Sequence, residues 1–208
     1  MSKIIKSKYK KSRALGVSIW GNEKDSFYKR NYPPGQHFNK KGAFGKKKSD
    51  YGLHLQAKQK IKAHYGRVGE KQFKNIFKLA KEMKGNTERN FLGLLESRLD
   101  VIVYRLNFAP TIFAARQIVS HKHVKVNGKK VNIPSMRVAE GSTIEVVKNI
   151  QQVSIVHESV ARLSRNVPSY LILDSENFKG QFLRKPEVTD VPFPFDPELQ
   201  KVVELYSK

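Results

Sequence analysis

The 208-residue chain has no cysteine and one tryptophan. Without thiols there is no disulfide scaffold, no cysteine-based zinc or iron–sulfur site and no thiol nucleophile. The same lack fits a reducing cytoplasm. No stretch approaches the ~18 apolar residues a membrane-spanning helix needs, and the opening MSKIIKSKYKKSR is basic but lacks the apolar run of a secretory signal. Acidic residues are scarce: 18 Asp and Glu against 40 Lys and Arg leave a formal net charge of +22. Self-repulsion at this charge opposes a compact state unless a polyanion neutralises it. Nucleic acid is therefore the first partner to consider, ahead of an anionic membrane surface.

Catalytic signatures are lacking too. There is no G-x-S-x-G elbow and no H-E-x-x-H pair. Gly42-Ala43-Phe44-Gly45-Lys46 has too few residues between its glycines for a phosphate loop, and lysines follow where Ser or Thr is required. His121 and His123 lie two apart with no further metal ligand nearby in sequence, so hydrogen bonding to phosphate or base suits them better. The sequence points to no enzyme, no metal and no cofactor.

What is present is charge, unevenly placed. Residues 1–50 carry +11, 51–90 carry +7, 91–150 carry +5 and 151–208 carry −1. The first three-quarters of the chain should touch the polyanion, leaving the tail for packing or a second partner. Hydrophobic residues at 39% and aromatics at 10% provide material for a core.

Residues 1–48 read as an irregular basic arm, rich in glycine and poor in apolar periodicity. Helical spacing starts after Ser49-Asp50 with Leu53, Ala57 and Ile61 and stops near Gly66. A second helix buries Phe73, Ile76, Phe77, Ala80 and Met83, and its polar face carries Lys71, Lys74, Lys78 and Lys81. Gly85 then stops it, and Thr87 is the candidate N-cap for a helix over 88–106. Pro110-Thr111 opens another helix that ends near His121. Val124 and Val126, then Asn127-Gly128, then Val131 and Ile133 predict a hairpin, because a type I′ turn needs positive φ at both central residues. Strands follow over 143–147, 170–173 and 181–183, with a helix over 153–163 and another over 198–206 whose apolar face needs a partner elsewhere.

Several of these elements carry candidate RNA contacts. In the arm they are Lys3, Lys6, Lys8, Lys10, Lys11 and Arg13, then Lys40, Lys41, Lys46, Lys47 and Lys48. Tyr9, Trp20, Phe27, Tyr28, Tyr32, Phe38 and Phe44 are interleaved with them, and flat rings beside cations suit exposed bases and phosphates. Arg98, Arg105 and Arg116 can form a basic surface with His121, Lys122, Lys125, Lys129 and Lys130, unless Glu96 or Asp100 takes one of the arginines. Arg116 shares its helix with no acid, which favours RNA.

Nine stretches in order carry a resemblance: Pro34-Gly35-Gln36-His37, Ser49-Asp50-Tyr51-Gly52, KQKIKAHYG ending at Gly66, Lys84-Gly85-Asn86-Thr87, LLESRLDVIVYRL, the run from Ala115 to His121, VNGKKVNIPS, Arg184-Lys185-Pro186-Glu187 and the terminal VELYSK. From near residue 6 to the C-terminus the chain closely resembles bacterial small-subunit ribosomal protein four, the family that names the S-four RNA-binding domain. The resemblance implies an α+β protein with four parts: a basic irregular N-terminal arm (1–48), a helical domain (49–95), an inserted RNA-binding domain of two helices and antiparallel strands (96–158), and C-terminal strands and helix packing on both domains (159–208). The last helix is expected to return to the first domain.

The resemblance adds Ser49, Tyr51, Lys58, Lys60, Lys62, Arg67, Gln117, Ser120, Arg184 and Lys185 to the expected RNA contacts. It implies a non-enzymatic constituent of the cytoplasmic ribosome: a primary binder of small-subunit ribosomal RNA that nucleates assembly of the subunit body and influences decoding accuracy beside proteins five and twelve. Its own messenger RNA is a further partner known in some relatives. RNA-modifying enzymes that carry the same inserted module need a large catalytic domain, and only about 50 residues follow the module here. Two departures stand out. The zinc-binding cysteine cluster of some relatives is excluded, and Ile112 and Ala114 occupy places where the family often has charged residues.

Overall fold

The computed structural model describes residues 7–35, 49–151, 154–162 and 165–207. In chain order these form α1 (Lys10–Leu15), α2 (Ser26–Lys29), α3 (Asp50–His64), α4 (Glu70–Glu82), α5 (Thr87–Glu96), α6 (Leu99–Arg105) and α7 (Ile112–Ser120). Then come β1 (Val124–Val126), β2 (Lys129–Val131), β3 (Thr143–Val146), α8 (Lys148–Gln151), α9 (Ser154–Arg162), β4 (Leu171–Asp174), β5 (Lys179–Phe182) and α10 (Leu199–Ser207). The chain divides into two compact units, residues 1–77 with 193–208 and residues 78–192. No helix among the described residues is long and apolar enough to cross a membrane.

In the first unit, Ser49 starts α3 as its spacing predicted, its hydroxyl accepting from the Gly52 amide at 3.3 Å. The helix buries Ala57 and Ile61. The partner that the last helix lacked is α3 itself: α10 packs on it, and His54 Nε2 lies 2.8 Å from a Glu204 carboxylate oxygen. Tyr206 stacks on Phe77 with ring centroids 4.8 Å apart.

The described part of the segment expected to be irregular folds instead, as α1 and α2. Its organiser is Asp25, a buried carboxylate that accepts from the hydroxyls of Ser12 at 2.7 Å and Ser18 at 3.1 Å while capping α2 through the Phe27 amide. Ile19 and Trp20 are buried, and the Trp20 indole donates to the His64 carbonyl at 3.2 Å. Polar staples of this kind leave no apolar period in the sequence, which is why the helices were missed.

In the second unit, the cap of α5 is Asn86 rather than Thr87; its side-chain oxygen accepts from the amides of Glu88 and Arg89 at 2.8 and 3.3 Å. The helix expected over 88–106 is broken at Ser97–Arg98. Arg98 is extended and bridges Arg137, the Leu99 and Asp100 amides donate to the carbonyls of Met136 and Pro134, and the Val138 amide donates to Ser97. A distant segment outcompetes the helix for these backbone groups. No glycine or proline marks the break.

The sheet is antiparallel in the order β2-β1-β3-β5-β4. Asn127 and Gly128 take φ of 48° and 78°, as the type I′ turn requires. The Asn127 amide also reaches β3, donating to the Ser142 hydroxyl at 3.3 Å and accepting from the Thr143 amide at 2.9 Å. Val124, Val126, Ile144 and Val146 point into the core. Two strands from the acidic tail, β4 and β5, complete the sheet. At Gly180 in β5 a Cβ would meet the buried Leu106 side chain at 2.5 Å, so the close approach of Leu106 to the sheet depends on glycine.

Candidate nucleic-acid interface

The second unit presents a cationic surface at the end of α7 and along the β1–β2 hairpin. Gln117, His121, Lys122, Lys129 and Lys130 are exposed there, and Ser120 is half-buried. The local sequence brings them together. Helix α7, capped by the Thr111 hydroxyl, ends at His121, and Lys122 turns the chain with φ of 63° into β1. Alternation then sends Val124 and Val126 inward and Lys125 to the other face, where the register sets it opposite Lys130 on one side and Glu145 on the other. The Glu145 carboxylate is 3.3 Å from Lys179, on the strand beyond. Among the described residues, Lys122, Lys125, Lys129 and Lys130 have no ion pair to an acid.

The arginines behave differently. Arg98 and Arg105, expected on the basic surface, are instead buried, out of reach of an RNA phosphate. Arg105 forms a bidentate pair with Glu96, at 2.8 and 3.2 Å, and the Tyr170 hydroxyl donates to the same carboxylate at 2.8 Å. Burial and the neighbouring Glu96 charge push the Tyr170 hydroxyl well above its ordinary pKa, so it stays a donor. Arg98 holds Asp100 at 2.8 and 3.0 Å. Arg116 also reaches Asp100, at 3.0 and 3.1 Å. Although α7 itself carries no acid, α6 supplies one to Arg116. Two guanidiniums thus share the Asp100 carboxylate, and the more exposed of the two is Arg116.

In the first unit the lysines of α3 are held by acids. Lys58 and Lys62 bind Glu70 at 2.8 and 2.6 Å, and Lys60 binds Glu198 at 2.9 Å. Partial burial works against ionisation of Glu70, but hydrogen bonds from Lys58, Lys62 and Tyr206 outweigh it and lower its pKa to about 2. Arg13 is likewise occupied: it donates to the carbonyls of Tyr32 and Pro33 and lies 4.7 Å from the Tyr32 ring centroid. Lys8 sits over the Tyr9 ring. Lys10, Lys11, Ser49 and Tyr51 are exposed, and Arg67 is half-buried. Of the interleaved rings, Trp20 is core, whereas Tyr28 and Tyr51 remain 60% and 66% exposed.

Lys3, Lys6, Lys40, Lys41, Lys46, Lys47 and Lys48, with Phe38 and Phe44, lie outside the described residues. Nearer the C-terminus, in the second unit, Arg184 pairs with Asp190 at 2.7 Å and Lys185 lies 3.7 Å from Glu140. Ile112 is buried. The residue that sequence reasoning missed is Gln59. It shares a cleft with Lys11, Lys62 and Arg67, and its spacing one turn before Lys62 and Ala63 could have placed it there.

An α+β unit whose hairpin lysines have no ion pair to an acid among the described residues suits a protein of the RNA-binding class. Comparison with known proteins narrows this. Residues 3–96 match the family model described as the ribosomal protein S4/S9 N-terminal domain, and residues 97–144 match the S4 domain. The chain is 57% identical over 208 residues to small ribosomal subunit protein uS4 of Rickettsia canadensis (strain McKiel), with 100% of both chains covered. The same identity and coverage hold for uS4 of Rickettsia felis (strain ATCC VR-1525 / URRWXCal2) and of Rickettsia prowazekii (strain Madrid E). The chain belongs to the uS4 family of small-subunit ribosomal proteins, a family of structural proteins rather than enzymes.

Proposed function

We propose that the chain is a cytoplasmic constituent of the small ribosomal subunit and a primary binder of its ribosomal RNA, nucleating assembly of the subunit body and contributing to translational accuracy. Its protein neighbours in this reading are small-subunit proteins five and twelve, and its own messenger RNA is a further ligand. The observation that carries the reading is full-length similarity to uS4 in a chain whose S4-domain hairpin keeps its lysines unpaired among the described residues.

Phosphate neutralisation supplies the affinity. The hairpin lysines, Lys122 and Arg116 meet backbone phosphates, and the α7–β1 corner sets their spacing to fit a folded RNA. Gln117, Ser120 and His121 add hydrogen bonds at the same corner. Exposed Tyr28 and Tyr51 suit stacking on unpaired bases.

Sedimentation of a cell lysate tests the reading: the chain should travel with small subunits and whole ribosomes, and recovery mainly in light fractions would defeat it. Binding to small-subunit RNA should weaken steeply with salt. Neutralising ~6–10 phosphates costs ~10³–10⁵ in affinity between 50 and 200 mM.

A further inference from the structure

The first unit carries a cleft of about 310 Å³ formed by α1, the second half of α3 and the turn that follows it. Leu15 and Val68 contribute apolar lining, and Lys11, Gln59, Lys62 and Arg67 contribute polar groups. Lys62 is engaged by Glu70. Among the described residues, the side chains of Lys11, Gln59 and Arg67 have no hydrogen-bond or ion-pair partner. Arg67 also holds φ of +61°, directly after Gly66 at +69°. Left-handed backbone is disfavoured for a residue with a Cβ, and such strain tends to persist at binding sites.

The size and lining restrict the ligand. Pockets of about 300 Å³ are the smallest that usually hold an organic ligand, and this one is too small for a helical RNA element. An inorganic anion would use the cations but neither the apolar lining nor the carboxamide. A nucleotide uses all three: the face of its base lies on apolar side chains, an amide offers both a donor and an acceptor to its edge, and its phosphate takes a lysine and a guanidinium.

We propose that this cleft binds one unpaired nucleotide, with the base against Leu15 and Val68, its edge read by Gln59 and its phosphate held by Lys11 and Arg67. The proposal rests on the RNA-binding reading above for the source of that nucleotide; a free mononucleotide has the same chemistry.

The test is a titration of the ¹⁵N-labelled full chain, at fixed ionic strength, with AMP, GMP, CMP, UMP, inorganic phosphate, and octamers of uridylate and adenylate. The signals read are the backbone amides of Ala14, Ala63 and Val68 and the side-chain amide of Gln59. Nucleotide ligands should give saturable shifts at these positions and inorganic phosphate none. Arg67→Gly removes the guanidinium and relieves the backbone, so it should fold normally yet bind roughly tenfold more weakly. Response to octamers alone assigns the site to a nucleotide of an RNA chain, and response to mononucleotides alone assigns it to a free nucleotide; either supports the cleft. Equal shifts with phosphate and nucleotides, or silence at the cleft with every ligand, overturn it. Filter binding of the same protein to small-subunit RNA separates the two readings. Retained binding with a silent cleft defeats the cleft alone, whereas loss of binding defeats the function proposed above.

Discussion

Arg105→Met tests whether the buried guanidinium is structural. In the native unit Glu96 is fully buried and receives two bonds from Arg105 and one from Tyr170. Removing one member of such a pair leaves a charge stranded in low dielectric, which costs about 3–5 kcal/mol. Against a total stability of about 5–15 kcal/mol, that is a large fraction. Adding Glu96→Leu removes the stranded carboxylate, so the double variant should recover most of the loss. The residual cost is about 1–3 kcal/mol, for the Tyr170 hydroxyl deprived of its acceptor. Urea unfolding followed by circular dichroism gives the four stabilities of the cycle. A single variant that loses less than about 1 kcal/mol, or a double variant as unstable as the sum of the singles, would refute the reasoning, because neither is compatible with a desolvated pair. The RNA readout is independent. Arg105 is 4% exposed, so the folded variant should show the wild-type salt slope of RNA binding.

Three further outcomes are expected. Lys129→Ala with Lys130→Ala should leave stability nearly unchanged and reduce the slope of log affinity against log salt by up to about 2 in filter binding, since each phosphate contact contributes about 0.9; an unchanged slope removes the hairpin from the interface. Gly180→Val should destabilise by about 1–3 kcal/mol through overpacking against Leu106, and Leu106→Ala should lessen that effect when the two are combined in thermal unfolding. Glu70 has a folded pKa of about 2, below the ordinary value of 4.5, so its stabilising contribution is fully present above pH 4.5 and fades as pH falls toward 2. Because its side chain is 48% exposed and solvent-screened, the contribution is at most about 1 kcal/mol. Glu70→Gln should flatten the stability profile over that window, and a profile parallel to the wild type would remove Glu70 as its cause.

Local chemistry was legible where a local rule decides the outcome. Asn127-Gly128 specifies its turn because few other pairs tolerate two positive φ angles. Ser49 begins α3 because a side-chain oxygen satisfies an amide of its first turn. The 3–4 spacing of Phe73, Ile76, Phe77 and Ala80 predicts which face of α4 is buried. The excess of positive charge toward the front of the chain, together with the lysines around the hairpin, points to a polyanionic partner.

Pairing between distant residues was not legible. A lysine or arginine in a sequence is a potential phosphate ligand until the fold brings an acid to it, and the acids come from elsewhere in the chain: Glu70 to Lys58 and Lys62, Glu198 to Lys60, Asp100 to Arg116. The Arg98–Arg137 bridge ends a helix whose apolar period runs on uninterrupted. Strands β4 and β5, drawn from the acidic tail, complete a sheet that begins with β1 at Val124. By itself the sequence determined most elements after residue 49, the hairpin, the basic character and the family. Which of its cations meet an acid was decided only by the tertiary structure. Secondary structure follows from neighbours a few residues apart, whereas neutralisation of a charge depends on Coulomb contact over a few ångströms, which only the folded chain creates.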